Sequence, residues 1–263
     1  MLKILFCGDV VGHVGRQAVR AYLPALKAQL GLEVVIINAE NAAGGFGLTA
    51  DTARELFNAG ADVLTLGDHA WDKKEAETLL ERDPRILRPY NFPGQNPGQG
   101  FRVFDLAGRR VAVLNLLGRA FIGLNLDALQ CQYRLGIDYD VLMVDLHCEA
   151  TAEAVCLGHL WDGKASLISG SHTHIPTADA HIMPAGTGYH TDAGMCGFYD
   201  SSLGMQFAGA MARFEQGRRQ PLTLAEGPGT LCGTYAEIND QGLCTKIEMV
   251  RVGGVLPPTH QVG

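Results

Sequence analysis

The sequence predicts an α/β protein with additional β-strands, and two regions of the chain support this prediction. About the first 80 residues alternate continuous apolar runs with segments whose apolar residues recur at helical spacing, the βαβαβ pattern of a parallel sheet. The second half contains several apolar runs and fewer helical segments. The 263 residues, of which 47% are hydrophobic and 19% charged, suit an ordinary globular protein with one large domain or two small ones.

Three predicted strands in the first half are each followed by a predicted helix. We expect Thr49 and Asp72 to cap the second and third helices, since short polar side chains are preferred at that position. We expect Pro24 to kink or split the first helix, which should end at Gly31. The strands are predicted at residues 2–6, 34–37 and 63–66, and the helices at 16–30, about 50–58 and 73–80.

The second half begins with a loop rich in Pro, Gly and Asn at residues 88–100. A β-hairpin is predicted from residues 101–106 and 111–116, because a short Ala-Gly-Arg-Arg segment joins two apolar runs. Beyond it we predict strands at 139–146, around 167–170, at 180–192 and around Leu222 and Lys246, with helices at about 151–160 and 203–214.

Charge, termini and cysteines restrict the class of protein. The net charge of −7 argues against a broad basic surface, so we expect no DNA-binding surface, although a small anionic substrate remains compatible. The amino terminus MLKILFCGDV is typical of a first strand and not of a signal peptide, and we expect no membrane span. Seven cysteines without CxxC spacing predict mostly buried thiols in a reducing cytoplasm.

Side chains that can bind metal ions follow five of the predicted strands. In extended backbone, residues two apart point to one face, so His172 and His174 should aim at a single point. Each such residue could alone be a turn or cap residue, but ligands in open α/β sheets bind beyond the carboxyl ends of strands. Oxygen and nitrogen ligands without a thiolate suit Mn, Fe or Zn. The strand ends carry Asp9, Glu40 with Asn41, Asp68 with His69, His147, and His172 with His174.

Further candidates lie outside these strand ends. Gly44 and Gly45 precede a helix start, where free backbone N–H groups could contact a phosphate, although a flexible turn would also explain them. Arg119 could reach substrate oxygens or form a surface ion pair, and His190 could support the site. We interpret Asp72 as a helix cap and not as a partner of His69.

The strand-end residues resemble the signature of calcineurin-like metallophosphoesterases, in the form found in the YmdB-like family of bacterial cyclic-nucleotide phosphodiesterases. The matching motifs are GDVVGHVGR, NAENAAGGFG, GDHAWD, NLLGR, and IPTAD with HTDAG, between residue 3 and about residue 197. The resemblance implies a single domain over residues 1–263 with a four-layer αββα sandwich, in which two sheets pack face to face.

The resemblance also implies two metal ions, Fe or Mn, with Zn or Mg as alternatives. His69 would be the proton donor, and Asp68 stands where the family has Asn. An ionised Asp68 lowers the positive charge of the site, which favours iron. By resemblance, one ion is held by Asp9, Asn41 and His174, the other by Asp68, His147 and His172, and Glu40 bridges them.

The implied function is a cytoplasmic, metal-dependent phosphodiesterase acting on a small anionic substrate. A hydroxide shared by the two ions would open 2′,3′-cyclic nucleotides to 3′-phosphomonoesters, with 3′,5′-cyclic AMP as a second candidate substrate. Two alternatives stay open. One is a weakly catalytic or non-catalytic regulator that binds metal or nucleotide, and the other is a metal-dependent amidohydrolase, which also uses a His-x-His pair. A homo-oligomer is also compatible with the sequence.

Overall fold

The computed structural model describes residues 1–123 and 138–262, and its strands form two six-stranded sheets. The first sheet has the order β12 (Cys244–Gly253), β11 (Thr230–Ile238), β1 (Leu2–Cys7), β2 (Val34–Asn38), β3 (Val63–Thr65) and β4 (Ile86–Leu87). The second has the order β5 (Phe101–Leu106), β6 (Arg109–Leu117), β7 (Val141–His147), β8 (Leu167–Ser171), β10 (Gly188–His190) and β9 (His181–Ile182). The helices are α1 (Gly12–Leu30), α2 (Ala50–Ala59), α3 (Ala76–Arg82), α4 (Thr151–Trp161) and α5 (Phe207–Gln216).

The layers follow from the alternation of side chains along the strands. Ile4 and Phe6 of β1 face the second sheet and pack in one cluster with Val113 and Met143, whereas Leu5 faces the helices. The outward face of the first sheet packs on α1 and α2, and that of the second packs on α4. The predicted four-layer αββα sandwich is therefore confirmed.

Parallel pairing brings the important strand ends to one edge of each sheet. β1 pairs in parallel with β2, and β2 with β3; β6, β7, β8 and β10 likewise pair in parallel. Antiparallel strands complete the sheets at β11, β12, β5 and β9. Because carboxyl ends of parallel strands meet at one edge, side chains that follow β1, β2, β3, β7 and β8 can converge.

The first half of the sequence prediction is largely confirmed. The side chain of Thr49 accepts a hydrogen bond from the backbone N–H of Thr52 in a reciprocal capping box, as predicted for α2. The first helix is continuous from Gly12 to Leu30 with Pro24 inside it, so Pro24 does not split it, and the alternative of a kink stays a prediction. β4 was not predicted, because two residues are too few to show a periodic pattern.

Three other predictions are wrong. The helix predicted from Asp72 begins at Ala76, and Asp72 contacts His69 instead. The helix predicted from residue 203 begins at Phe207, because Leu203 adopts a φ of 54°, which no helix allows. Leu222 lies in no strand, whereas Lys246 lies in β12 as expected.

The predicted strand at residues 180–192 is two short strands, β9 and β10, with a turn between them. None of the helices in residues 1–123 and 138–262 is both long enough and apolar enough to cross a membrane.

Candidate metal centre

Seven side chains that were predicted as metal ligands meet where the carboxyl ends of the two sheets face each other. They come from segments that directly follow β1, β2, β3 and β8, and from the last residue of β7. We call them the ligand cluster: Asp9, Glu40, Asn41, Asp68, His147, His172 and His174. Asp9 and His147 are fully buried and Glu40 is 1% exposed, so the sandwich interior surrounds the cluster on most sides.

One half of the ligand cluster is formed by Glu40, Asp68, His147 and His172, whose ligand atoms all lie within 4.8 Å of one another. Nε2 of His147 is 3.1 Å from Oε1 of Glu40 and 3.3 Å from Oδ1 of Asp68. It is also 2.9 Å from Nδ1 of His172. Two carboxylates and two imidazoles thus converge on one small volume. Together they form a donor set that suits a divalent ion.

The other half is centred on the Asn41 amide. Nδ2 of Asn41 lies 3.4 Å from Oδ1 of Asp9, 3.3 Å from Nε2 of His174 and 3.2 Å from Oε1 of Glu40. A half-turn of the amide about its Cβ–Cγ bond exchanges Nδ2 for Oδ1 and would present an oxygen to the same point. Glu40 therefore borders both halves.

The electrostatics of the ligand cluster fit a bound cation. Burial alone would lower the pKa of His147, but the adjacent Glu40 and Asp68 carboxylates raise it well above its usual value. Burial raises the pKa of Asp9 to about 6. Carboxylates buried at this density need positive charge beside them, and divalent ions supply it at these donor atoms.

Gly67 has a role that the sequence alone did not reveal. It joins β3 to Asp68, and a Cβ built at this position would overlap Oε2 of Glu40 and Nε2 of His147. Only glycine lets the chain pass this close to the ligand cluster. The glycine is visible in the sequence as part of the Gly-Asp-His motif. The reason for it is the close approach to Glu40, which follows β2, and to His147 of β7, and the sequence does not show these contacts.

The geometry of the paired histidines differs from the prediction. His172 and His174 have φ values of 114° and 66°, so the backbone is left-handed and the expected extended geometry is wrong. As a result the two rings serve different halves of the cluster instead of one point. Two carboxylates hold this strained turn: Asp9 accepts from the backbone N–H of His172 at 2.8 Å, and Asp192 from that of Thr173 at 2.8 Å.

His69 lies beside the ligand cluster with its side chain 31% exposed. Its Nδ1 is 2.8 Å from Oδ2 of Asp72, and its backbone N–H donates to Oε2 of Glu40 at 3.1 Å. Burial lowers the pKa of His69, but Glu40, Asp68 and the hydrogen bond with Asp72 together raise it. Asp72 thus orients His69, which corrects its interpretation as a helix cap.

A buried chain of hydrogen bonds, which we call the relay, holds the His147 ring through its Nδ1 atom. Nδ1 of His147 lies 2.8 Å from Oγ of Ser171, and this hydroxyl donates to Oδ1 of Asp145 at 2.8 Å. Asn38 donates to the other carboxylate oxygen of Asp145 at 3.0 Å, which joins the two sheets. These contacts leave Nε2 of His147 free for a metal. We did not predict this relay, although an aspartate inside the apolar run VLMVDLH was a detectable signal.

A carboxylate outside the ligand cluster, that of Glu149, contacts the His172 ring. Its Nε2 lies 3.1 Å from Oε2 of Glu149, while its Nδ1 faces the ligand cluster. Glu149 therefore orients the His172 ring, in the way that carboxylates orient ligating histidines in metal sites.

A cleft of about 390 Å³ opens outward from the ligand cluster. Two kinds of side chain line it. The polar ones, which we call the floor, are Glu40, Asn41, His69, His172 and His174, and the apolar ones, which we call the wall, are Phe46, Leu203, Met205, Phe214 and Leu222.

Of the four residues predicted from the sequence as substrate contacts, two lie at or beside the cleft and two do not line it. Gly45 lines the cleft, and Gly44 is exposed next to it. Arg119 is exposed, does not line the cleft, and donates its backbone N–H to Glu153. His190 is 1% exposed, with its ring nitrogens bonded to Thr234 and Thr177, so in this position it cannot contact a substrate.

The sandwich and its buried oxygen and nitrogen donors define the metallophosphoesterase class of fold. A solved structure of a 5′-nucleotidase precursor from Thermus thermophilus has a TM-score of 0.52 at 12% identity, covering 95% of this chain and 54% of that one. The strands of the described ranges form two open sheets and not a β/α barrel, the fold that the amidohydrolase alternative would require.

The chain belongs to the YmdB-like protein family, whose model matches residues 5–250. It is 42% identical over 258 residues to the 2′,3′-cyclic-nucleotide 2′-phosphodiesterase of Bacillus subtilis strain 168, covering 95% of this chain and 97% of that protein. A crystal structure of a hypothetical protein from Thermus thermophilus has a TM-score of 0.91 and 38% identity, covering 96% of this chain and 100% of that one.

Proposed function

We propose that this protein is a metal-dependent phosphodiesterase that opens nucleoside 2′,3′-cyclic phosphates to 3′-phosphomonoesters. The observation that carries the proposal is the convergence of the ligand cluster on a cleft that also exposes a histidine, His69. The named activity of the Bacillus subtilis relative supports the choice of a cyclic nucleotide as substrate. A 3′,5′-cyclic nucleotide is the second candidate.

We assign the ligand cluster to two metal ions. Asp9, Asn41 and His174 would hold one, and Asp68, His147 and His172 the other. Glu40 would bridge them, because its Oε1 lies 3.1 Å from Nε2 of His147 and 3.2 Å from Nδ2 of Asn41. Oxygen and nitrogen donors favour Fe or Mn, with Zn or Mg as alternatives. When bound, the ions would activate water and offset charge on the phosphoryl group.

His69 is assigned as the general acid. Its Nδ1 is occupied by Asp72, so its Nε2 is the atom that can give a proton to the departing O2′ of the ribose. Glu40, Asp68 and Asp72 raise the pKa of His69, and the Asp72 carboxylate stabilises the protonated ring. Neutral histidine is left when the 2′-hydroxyl forms.

Product analysis tests the proposal. Adenosine 2′,3′-cyclic phosphate is incubated with protein and Mn²⁺, and the products are separated by chromatography. We expect adenosine 3′-monophosphate from the wild type and a rate about 10²–10⁴-fold lower for His69→Ala. His181→Ala, which replaces an exposed histidine of β9, is the matched control and should retain the wild-type rate. Nucleotide binding without any turnover would instead support the regulator alternative.

Two predictions from the sequence accompany this proposal. They are the cytoplasmic location and the single-domain organisation over residues 1–263, and a homo-oligomer stays compatible with the sequence. The absence of a DNA-binding surface also stays a prediction, which rests on the net charge of −7.

A further inference from the structure

The floor and the wall of the cleft differ in the chemistry that their side chains can perform. The floor carries the donors that phosphodiester hydrolysis uses, whereas the wall carries apolar side chains. An apolar surface gives no stabilisation to a phosphoryl group or to a developing alkoxide. The wall is therefore available to contact another part of a bound substrate.

Phe214 is the most exposed part of the wall. It lies in the last turn of α5, lines the cleft and is 79% exposed, and Leu203 beside the same cleft is 45% exposed. Phe46 lines the cleft close to the floor, with its ring 5.0 Å from that of His69. Aromatic rings next to a phosphate site can stack on the face of a nucleobase.

The wall offers few groups that could distinguish one base from another. Among the described residues that line the cleft outside the floor, the polar ones are Ser202 and Arg213, which adjoin Leu203 and Phe214 in sequence, and Glu149 and Thr173, whose side chains contact His172 and Asp192. No described residue accepts a hydrogen bond from the Arg213 side chain, so its guanidinium can stack on a bound base. Recognition by stacking tolerates every base, because each base has a π-face.

We infer that the wall is a nucleobase subsite in which Phe214 stacks on the base of the cyclic nucleotide without selecting its identity. This inference rests on the proposed function and deepens it. The cleft volume of about 390 Å³ lies in the range of small-molecule sites, roughly 300–1,000 Å³. The expected selectivity among the four bases is low, because every base offers a face for stacking.

The test compares a substrate that has a base with one that lacks it. KM is measured for adenosine 2′,3′-cyclic phosphate and for glycerol 1,2-cyclic phosphate, with Phe214→Ala, Phe214→Trp and Phe207→Ala. We expect Phe214→Ala to raise the first KM relative to the second by about 5- to 150-fold. Phe214→Trp should keep the wild-type ratio. Phe207 is 52% exposed on the same helix but does not line the cleft, so Phe207→Ala is the matched control.

Binding supplies a readout that does not depend on turnover. The dissociation constant of adenosine 3′-monophosphate, measured by calorimetry, should rise in Phe214→Ala and not in Phe207→Ala. An unchanged KM ratio together with an unchanged dissociation constant would overturn the base subsite, while hydrolysis of both cyclic phosphates would leave the proposed function intact. If neither cyclic phosphate is hydrolysed, the proposed function fails, and the dissociation constants still decide whether the wall binds a base.

Discussion

The ligand cluster and the wall border the same cleft but are built in different ways. Glu40 and His147 are almost completely buried and are fixed by hydrogen bonds from both sheets, whereas Phe214 is 79% exposed on one helix. Changes in the cluster should therefore disturb metal binding and chemistry together. Changes in the wall should affect substrate affinity while the chemistry continues. The predictions below test this division, from the largest expected effect to the smallest.

The largest loss is expected when a histidine of the ligand cluster is removed. His147→Ala and His172→Ala should each lower the bound metal and abolish diesterase activity while the fold remains intact, because each deletes a donor from the four-residue half. Metal content by mass spectrometry and the diesterase rate are the measurements. His159→Ala, an exposed histidine of α4, is the control. Full metal content and full rate in either cluster variant would refute the assignment.

The next effect concerns proton donation by His69. His69→Ala should slow hydrolysis of substrates with poor leaving groups by about 10²–10⁴-fold, and nitrophenyl esters much less, because an activated leaving group needs little protonation. Bound metal should stay constant. Equal losses on both substrate types would show that His69 only positions the substrate.

The pH dependence should report the pair formed by His69 and Asp72. Since the pKa of His69 is raised, the acid form persists above its usual range, and the rate on poor leaving groups falls only as pH rises through that pKa. Asp72→Asn removes a charge that raises it, so the alkaline fall should move to lower pH. A pH profile identical to that of the wild type would mean that Asp72 does not tune His69.

A smaller effect is expected at the relay behind His147. Ser171→Ala should weaken metal binding by about 10–100-fold, because the His147 ring loses the partner that orients it. Ser169→Ala is a close control, since Ser169 is buried on the same strand and its hydroxyl bonds to Thr234 at 2.7 Å. Calorimetric titration with Mn²⁺ compares the two variants. Equal weakening in both would indicate general damage to β8.

The smallest change is expected at Asp68, where the resemblance implied an asparagine. Asp68 lies 3.3 Å from both His147 and His172, so its charge acts directly on that half of the cluster. Asp68→Asn should raise the diesterase rate with Mn²⁺ modestly and lower the pH at which the rate reaches its plateau. An unchanged profile would contradict metal ligation by Asp68, and a collapse in rate would indicate chemistry that depends on the carboxylate.

The sequence predicted the parts of the site that depend on local pattern. An apolar run followed by a polar side chain identifies a strand end, and Asp9, Glu40 and His147 were found in this way. The left-handed turn at His172 was not predictable, because Asp9 and Asp192 hold it from distant parts of the chain. The same holds for Ser171 behind His147, since its partner lies on a neighbouring strand.

The residues of the wall could not be predicted from the local sequence pattern either. The spacing of apolar residues predicted a helix near α5, but its start was displaced by the left-handed Leu203. Which side chains of that helix face the cleft depends on how α5 packs against the segment that carries Leu222, a tertiary feature without a sequence signal. Phe207 and Phe214 look equivalent in the sequence, yet only Phe214 of the two lines the cleft.

Titration of metal-free protein with Mn²⁺, followed by calorimetry and by the diesterase rate, tests the central claim most directly. We predict two ions per chain in the wild type, with activity appearing as both sites fill. His174→Ala and His172→Ala should each leave one ion, because they remove donors from different halves of the ligand cluster. A single ion in the wild type, or full activity in excess chelator, would contradict the account.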